Sequence, residues 1–233
     1  MYICAIVVAA GRGTRLRSSI SKPLVRLGSK PIILHSLQTL SKCPRIKAIV
    51  VVVNRANRQA IKRLISVSGL FKISGIVDGG QRRQDSVTNG LAVLPDACDY
   101  VLIHDAARPL IDMASLERLI KGVKKNGAAI LGVPVKSTIK EVQGLCGSDV
   151  LKVGRTLDRK RLWEIQTPQA FRKNIIMKAY NSFGMINVTD DSALVEKLGV
   201  EVSLIMGSYE NIKITSPEDV RVAAALLRTR NVR

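Results

Sequence analysis

Apolar residues along the chain fall into short unbroken runs separated by stretches of helical period. Ile3–Val8 is entirely apolar and ends in Ala9-Ala10-Gly11-Arg12-Gly13, the pattern of a buried strand delivering a loop of bare backbone. Pro31 followed by Ile33, Leu34, Leu37 and Leu40 predicts an amphipathic helix to about Ser41. Lys47–Val53 reads as a second buried strand, Asn57–Ile65 as a helix and Ile73–Val77 as a third strand. A helix beginning near Arg82 carries Val87, Leu91 and Leu94 on one face; Tyr100–Ile103 is a fourth strand, Ala114–Lys125 a helix and Ala128–Val135 a strand. This alternation predicts an α/β fold with a mostly parallel sheet.

The alternation then stops. Pro134–Asp158 is rich in Lys, Thr and Gly and short of apolar periodicity, and β-like pieces at Ser137–Val142 and Val150–Leu157 flank Gly144–Gly147, which predicts a projecting hairpin arm over 136–157. An arm without a core of its own is expected to pack on a partner, so the chain reads as a homodimer. Beyond it, Arg159–Trp163 suggests a short helix, and Thr167-Pro168-Gln169-Ala170-Phe171 reads as a turn. Helices are expected at Lys173–Phe183 and Asp190–Leu198, the second capped by Thr189 or Asp190, and strands at Glu201–Ile205 and Asn211–Ile214. Ser216-Pro217-Glu218-Asp219 opens a final helix. All of this fits one domain over 1–233, with the arm at 136–157 inserted in it.

Charge narrows the function. There are 37 Lys and Arg against 18 Asp and Glu, a balance suited to nucleic acid or to a highly anionic substrate. Aromatic residues make up only 3% and the basic residues are dispersed, so nucleic-acid binding is the weaker expectation. Cys4, Cys43, Cys98 and Cys146 lack metal-ligand or disulfide spacing, and the only histidines are His35 and His104, leaving little material for a histidine-centred hydrolase. No apolar run is long enough for a membrane span, and the start of the chain lacks a basic leader, so a cytoplasmic protein with reduced thiols is expected.

The first loop lacks both the P-loop spacing and the third glycine of a dinucleotide fold, and Asn54 ends the second strand where an acid would hold a ribose. It remains suited to a polyphosphate, approached by main-chain N–H groups with Arg15 and Lys22 nearby, although an ordinary glycine turn would look alike. Gly79-Gly80 ends another strand and faces the same crevice. Asp105, at the carboxyl end of a central strand, is sited either to hold Mg²⁺ against phosphate oxygens or to cap a turn.

Taken together, A-A-G-x-G-x-R with a following lysine, G-G-x-x-R-x-x-S-V-x-N-G-L, V-L-I-H-D-A-A-R-P, D-R-x-x-L-W-x-x-Q-T-P-Q-x-F, T-D-D and N-I-K-I-T-S-P-E-D resemble the 2-C-methyl-D-erythritol 4-phosphate cytidylyltransferase family from about Ile3 to Leu227. The resemblance implies a Rossmann-like nucleotidyltransferase domain with a β-arm interlocking two subunits, and an Mg²⁺-dependent joining of CTP to methylerythritol phosphate with release of pyrophosphate. It implies that Ala9, Ala10, Gly11, Gly13, Gly80, Ser86 and Ala106 hold CTP, and that Arg15 and Lys22 stabilise its triphosphate. Asp105, Arg108, Thr138, Arg159, Thr167 and Lys213 match the sugar-phosphate side, Arg159 reaching over from the other subunit. Arg15, Lys22, Arg159 and Lys213 are the implied catalytic cations, and Asp105 the metal contact. Lys22-Pro23-Leu24 puts proline after the lysine, and Gln81 stands where relatives often carry an acid. The rival readings are a cytidylyltransferase for ribitol or glycerol phosphate and a basic nucleic-acid-binding module.

Overall fold

The computed structural model describes residues 1–11, 13, 16, 20–143 and 150–230. Arg15, Cys146 and the expected hairpin tip at 144–147 lie outside the described residues. Seven strands form one sheet. In chain order they are β1 (Ile3–Ala9), β4 (Ile46–Val53), β5 (Ile73–Asp78), β6 (Tyr100–Asp105), β7 (Ala128–Pro134), β10 (Trp163–Arg172) and β11 (Ser203–Met206); across the sheet they run β11-β7-β10-β6-β1-β4-β5. Every neighbouring pair is parallel except those made by β10, which is antiparallel to both β6 and β7. Two small ladders stand apart: β2 (Arg26–Leu27) with β3 (Lys30–Pro31), and β8 (Lys140–Gln143) with β9 (Lys152–Thr156).

The unbroken apolar runs have their reason in burial on both faces. Ile3, Ala5 and Val7 of β1 pack under the helices α1 (Ile32–Lys42), α2 (Arg58–Ser66) and α4 (Met113–Asn126) through Leu37, Ile61 and Leu119. Cys4 and Ile6 point the other way, to Val87 of α3 (Arg83–Leu91), Ile176 of α5 (Lys173–Phe183) and Leu194 of α6 (Ser192–Lys197). A third cluster, with Leu27, Ile32 and Ile214, seats α7 (Pro217–Arg230) through Ala223. Asp219 accepts from the N–H groups of Thr215 (2.7 Å) and Ser216 (2.8 Å), satisfying donors ahead of α7.

Two expectations are corrected. Thr167–Phe171 is not a turn but the middle of β10, a strand buried between β6 and β7. Its pairing with β7 passes from Gln166↔Leu131 directly to Gln169↔Ile130, so Thr167 and Pro168 are an irregularity that lets a proline sit inside a sheet. Asn211–Ile214 is not a strand. It crosses the carboxyl edge of the sheet without a ladder, held by Ile214 N–H on Ala107 O (2.8 Å) and by the buried Asn211 amide donating to Gln166 Oε1 and Thr167 O. The segment expected as a short helix at Arg159 is a 3-10 turn, Arg159–Arg161.

The arm exists as β8 and β9, every residue of which is exposed. Glu141 pairs with Arg155 (2.8 Å) across it, yet Val142 and Val153 remain 40% and 58% exposed. Among the described residues no helix is long and apolar enough to cross a membrane, and Cys4, Cys43 and Cys98 are buried free thiols.

Candidate active site

A cavity of about 680 Å³ opens beyond the carboxyl ends of β1, β4, β5 and β6. The strand order reverses between β1 and β6, which is where open α/β sheets leave a crevice. Bare backbone lines much of it: Ala9 at the end of β1 and Ala10, Gly11 and Gly13 after it, Gly79 and Gly80 after β5, Ala106 and Ala107 after β6. Gly13 has φ +66°, and a Cβ there would come within 2.8 Å of Lys22 Cβ. A Cβ on Gly79 would run into Ala10, and one on Gly80 into Asp85. Only glycine lets these chains approach one another and a ligand so closely.

The Gly79-Gly80 turn is fastened on both sides. Gly79 N–H donates to Val53 O (2.8 Å), and Gly80 N–H donates to Ser86 Oγ (3.2 Å), whose hydroxyl is turned to Arg82 O. Asp85 accepts from Arg82 N–H (2.9 Å) and from its guanidinium, closing the start of α3.

The cations come from distant places in the chain. Lys22, in a 3-10 turn whose Pro23 is buried, donates to Ile214 O (3.1 Å); the proline after the lysine thus fits the local backbone. Lys213 Nζ lies 2.7 Å from Asp105 Oδ2, and Arg83 Nε lies 3.1 Å from Asp105 Oδ1. Burial would raise the Asp105 carboxyl, but Arg83 and Lys213 hold it well below the usual carboxylate range. Arg83 also makes a two-pronged pair with Asp191, at 2.9 and 2.8 Å. Asp191 is fully buried and accepts from Tyr180 Oη (2.5 Å), while Gln169 Oε1 accepts its N–H (3.1 Å).

Behind Asp105 runs a chain of buried hydrogen bonds. Burial lowers His104 to about 4, so its ring is neutral near pH 7. Nε2 faces Arg108 O at 3.1 Å, and a carbonyl only accepts, so Nε2 carries the proton. Nδ1 then accepts from Thr167 Oγ1 (3.3 Å), and Thr167 Oγ1 accepts from Asp105 N–H (3.0 Å). Both ring nitrogens are engaged, and the other histidine, His35, is tied to Leu27 O. Neither imidazole lines the cavity.

Of the residues expected from sequence, Ala9, Ala10, Gly11, Gly13, Lys22, Gly80, Ser86, Asp105, Ala106 and Lys213 all line the cavity. Arg108, Thr138, Arg159 and Thr167 do not. Arg108 is 6% exposed and spends its guanidinium on Asn211 O (2.7 Å) and Ile165 O (3.1 Å). Thr167 supports Asp105 from behind. Thr138 is exposed at the root of the arm, where Arg159 donates to Lys136 O (2.8 Å). Arg55 and Arg83 line the cavity without having been singled out, and so does Asn54, noted from sequence only for standing where a dinucleotide fold would carry an acid. Arg83 and Asp191 stand as letters in G-G-x-x-R and T-D-D, motifs whose local pattern gives no hint that they meet.

A resident metal does not fit these side chains. Asp105 is a lone carboxylate with a cation on each oxygen, and among the described residues no group of three His, Cys, Asp or Glu could hold an ion.

Glycine turns at strand ends, a reversal of strand order and convergent lysines make a crevice suited to a polyphosphate, and the comparisons with known proteins place it in an α/β nucleotidyltransferase. The family model described as IspD, 2-C-methyl-D-erythritol 4-phosphate cytidylyltransferase, matches residues 3–229. The chain is 44% identical over 232 residues to 2-C-methyl-D-erythritol 4-phosphate cytidylyltransferase of Desulforamulus reducens, covering 98% of this chain and 97% of the relative. Against the Geobacillus kaustophilus protein of that name the identity is 42%, covering 97% of each. In structure it is similar to the 4-diphosphocytidyl-2C-methyl-D-erythritol synthase of Anaerococcus prevotii, with TM-score 0.83, 31% identity and coverage of 97% and 96%. A second similar structure is the Thermus thermophilus 2-C-methyl-D-erythritol 4-phosphate cytidylyltransferase, at TM-score 0.78 and 25% identity, covering 98% of this chain and all of that one. The chain belongs to the 2-C-methyl-D-erythritol 4-phosphate cytidylyltransferase family. Enzymes of this family typically use a divalent metal.

Proposed function

We propose that this chain transfers the cytidylyl group of CTP to 2-C-methyl-D-erythritol 4-phosphate, giving 4-diphosphocytidyl-2-C-methyl-D-erythritol and pyrophosphate, as a step of non-mevalonate isoprenoid precursor synthesis. The observation that carries the residue assignment is the convergence of Lys22, Lys213 and three bare-backbone turns on one cavity. CTP lies along Ala9–Gly11, Gly13, Gly79-Gly80 and Ala106, with Ser86 holding the Gly80 turn against the base. The polyol phosphate enters on the Lys213 and Asp105 side.

A phosphate oxygen of the polyol attacks the α-phosphorus of CTP. A phosphorus–oxygen bond forms, and the bond to the bridging oxygen breaks, so that pyrophosphate leaves with the electron pair. A phosphate monoester is largely dianionic near pH 7, so the nucleophile needs no base. That agrees with a cavity lined by no histidine. The obstacle is repulsion between two anions, and the chemistry is positioning plus electrostatic stabilisation by Lys22, Lys213 and Arg15, with main-chain N–H groups directed at the phosphates. The divalent ion, which we take to be Mg²⁺, comes with the triphosphate, because no group of three His, Cys, Asp or Glu among the described residues makes a cage for it.

Thr138 and Arg159 stand at the arm, outside this chain's own cavity, and we assign them to the cavity of a second copy. The exposed Val142 and Val153 support a homodimer built on the arm. The test of substrate choice is pyrophosphate release with Mg²⁺ and each pairing of CTP, UTP, GTP or ATP with methylerythritol, ribitol or glycerol phosphate. Turnover confined to CTP with methylerythritol phosphate is the expected result; preference for another polyol phosphate would overturn the substrate assignment.

A further inference from the structure

Asp105 holds two cations of unequal freedom. Arg83 is the clamped one: it opens α3, reaches Asp105 Oδ1 at 3.1 Å, and grips both oxygens of the fully buried Asp191. Asp191 is itself fixed by the Tyr180 hydroxyl and by Gln169. Lys213 is the loose one: its side chain is 41% exposed, it comes from a segment without a ladder, and its 2.7 Å contact is to the other Asp105 oxygen. The four groups sum to zero charge, and Arg83 is the member that touches both acids.

We infer that Arg83 is a positioning residue that frees Lys213 for the incoming phosphate, by keeping Asp105 paired when Lys213 leaves it. A substrate dianion competes with Asp105 for the Lys213 ammonium. If Arg83 stays on Asp105, the exchange leaves no buried carboxylate uncompensated, and Lys213 swings over with little resistance. Without Arg83, the buried Asp105 carboxylate loses its Oδ1 partner and depends on Lys213 at Oδ2, so that Lys213 is locked where it stands. Arginine suits the task because its planar fork serves Asp191 with two N–H groups while Nε serves Asp105; a lysine carries the charge but cannot span both. Arg83 acts here through Lys213 and need not touch the reacting atoms.

The inference rests on the assignment of Lys213 to the polyol-phosphate side, and the two can fail separately. Steady-state kinetics with CTP and methylerythritol phosphate are measured on the full chain for Arg83→Gln, Arg83→Lys, Lys213→Ala and the double variant Arg83→Gln/Lys213→Ala, with circular dichroism as the check of folding. Arg83→Gln is expected to lower kcat at least 30-fold and raise KM for the polyol phosphate at least tenfold, with KM for CTP within threefold of wild type. Arg83→Lys is expected to recover part of the kcat, and the double variant to lose no more than Lys213→Ala alone, since residues acting in one chain of effect are not additive. Wild-type kinetics in Arg83→Gln would overturn the inference. So would a loss of kcat with both KM values unmoved and no recovery by lysine, or failure of both Arg83 variants to fold, since each makes Arg83 a strut only. Full activity in Lys213→Ala would instead remove Lys213 from the mechanism, and the inference with it.

Discussion

The amide N–H of Asp105 donates to Thr167 Oγ1 at 3.0 Å, so the threonine stands behind the acid and holds its backbone in place. It does so from the irregular stretch of β10, where the pairing skips two residues, and the same oxygen reaches His104 Nδ1. Thr167→Val keeps the shape of the side chain but strips a buried N–H and a buried ring nitrogen of their partner. The expected cost is about 1–3 kcal/mol of stability in urea denaturation, with Thr167→Ser close to wild type. Equal stability of the valine and serine variants would contradict the supporting role.

His104 sets a pH limb for stability. Its ring is fully buried and lowered to about 4, while in the unfolded chain it titrates near 6.5. Between those values only the unfolded chain takes up the proton, so stability is intact above pH 6.5 and falls as pH drops toward 4, by on the order of 3 kcal/mol. His35 is lowered too, chiefly by burial, and adds in the same direction. Asp105 is depressed in the folded chain, so its contribution is lost at lower pH, below the unfolded carboxylate value. Replacing His104 by Gln should flatten the fall in unfolding free energy between pH 6.5 and 4.5. An unchanged slope would show that the ring is not the titrating group.

Gly80 tests the nucleotide side alone. A methyl group at this position meets Asp85 Cβ and must push the turn away from α3, breaking the bond from Gly80 N–H to Ser86 Oγ. Gly80→Ala should raise KM for CTP at least tenfold while KM for the polyol phosphate stays within a few-fold. A change confined to the polyol phosphate would put the base elsewhere in the cavity.

The arm carries its own prediction. Val153→Glu places a charge on a side chain that is 58% exposed in the single chain, so the chain should fold as before. If the arm builds the proposed dimer, light scattering should find monomer for this variant and dimer for the unaltered chain, and turnover should fall with it, as the assignment of Arg159 to a second cavity requires. A dimer of undiminished activity would separate the arm from assembly.

Much of this architecture can be read from the chain because parallel strands buried on both faces leave unbroken apolar runs, as at Ile3–Val8 and Lys47–Val53. β10 hides for the opposite reason: Pro168 breaks its pattern, and only its two neighbours explain how a proline sits there. The backbone-lined half of the cavity is legible as glycine turns after strands. The charged half is less so. Arg83 and Asp191 lie 108 residues apart, and no local pattern joins them until the sheet is assembled. Arg108 and Thr167 carry the right chemistry for a substrate, but Arg108 turns to carbonyl oxygens and Thr167 to the Asp105 N–H and the His104 ring, directions that sequence does not encode.

The most direct test of the electrostatic account is pyrophosphate release by Lys213→Ala beside the unaltered chain, with CTP, Mg²⁺ and methylerythritol phosphate, and with calorimetry of CTP binding alongside. The account predicts that the variant folds and binds CTP within a few-fold of wild type but turns over at least 100-fold more slowly, about 3 kcal/mol of lost transition-state stabilisation. A folded variant that keeps near wild-type turnover would contradict it.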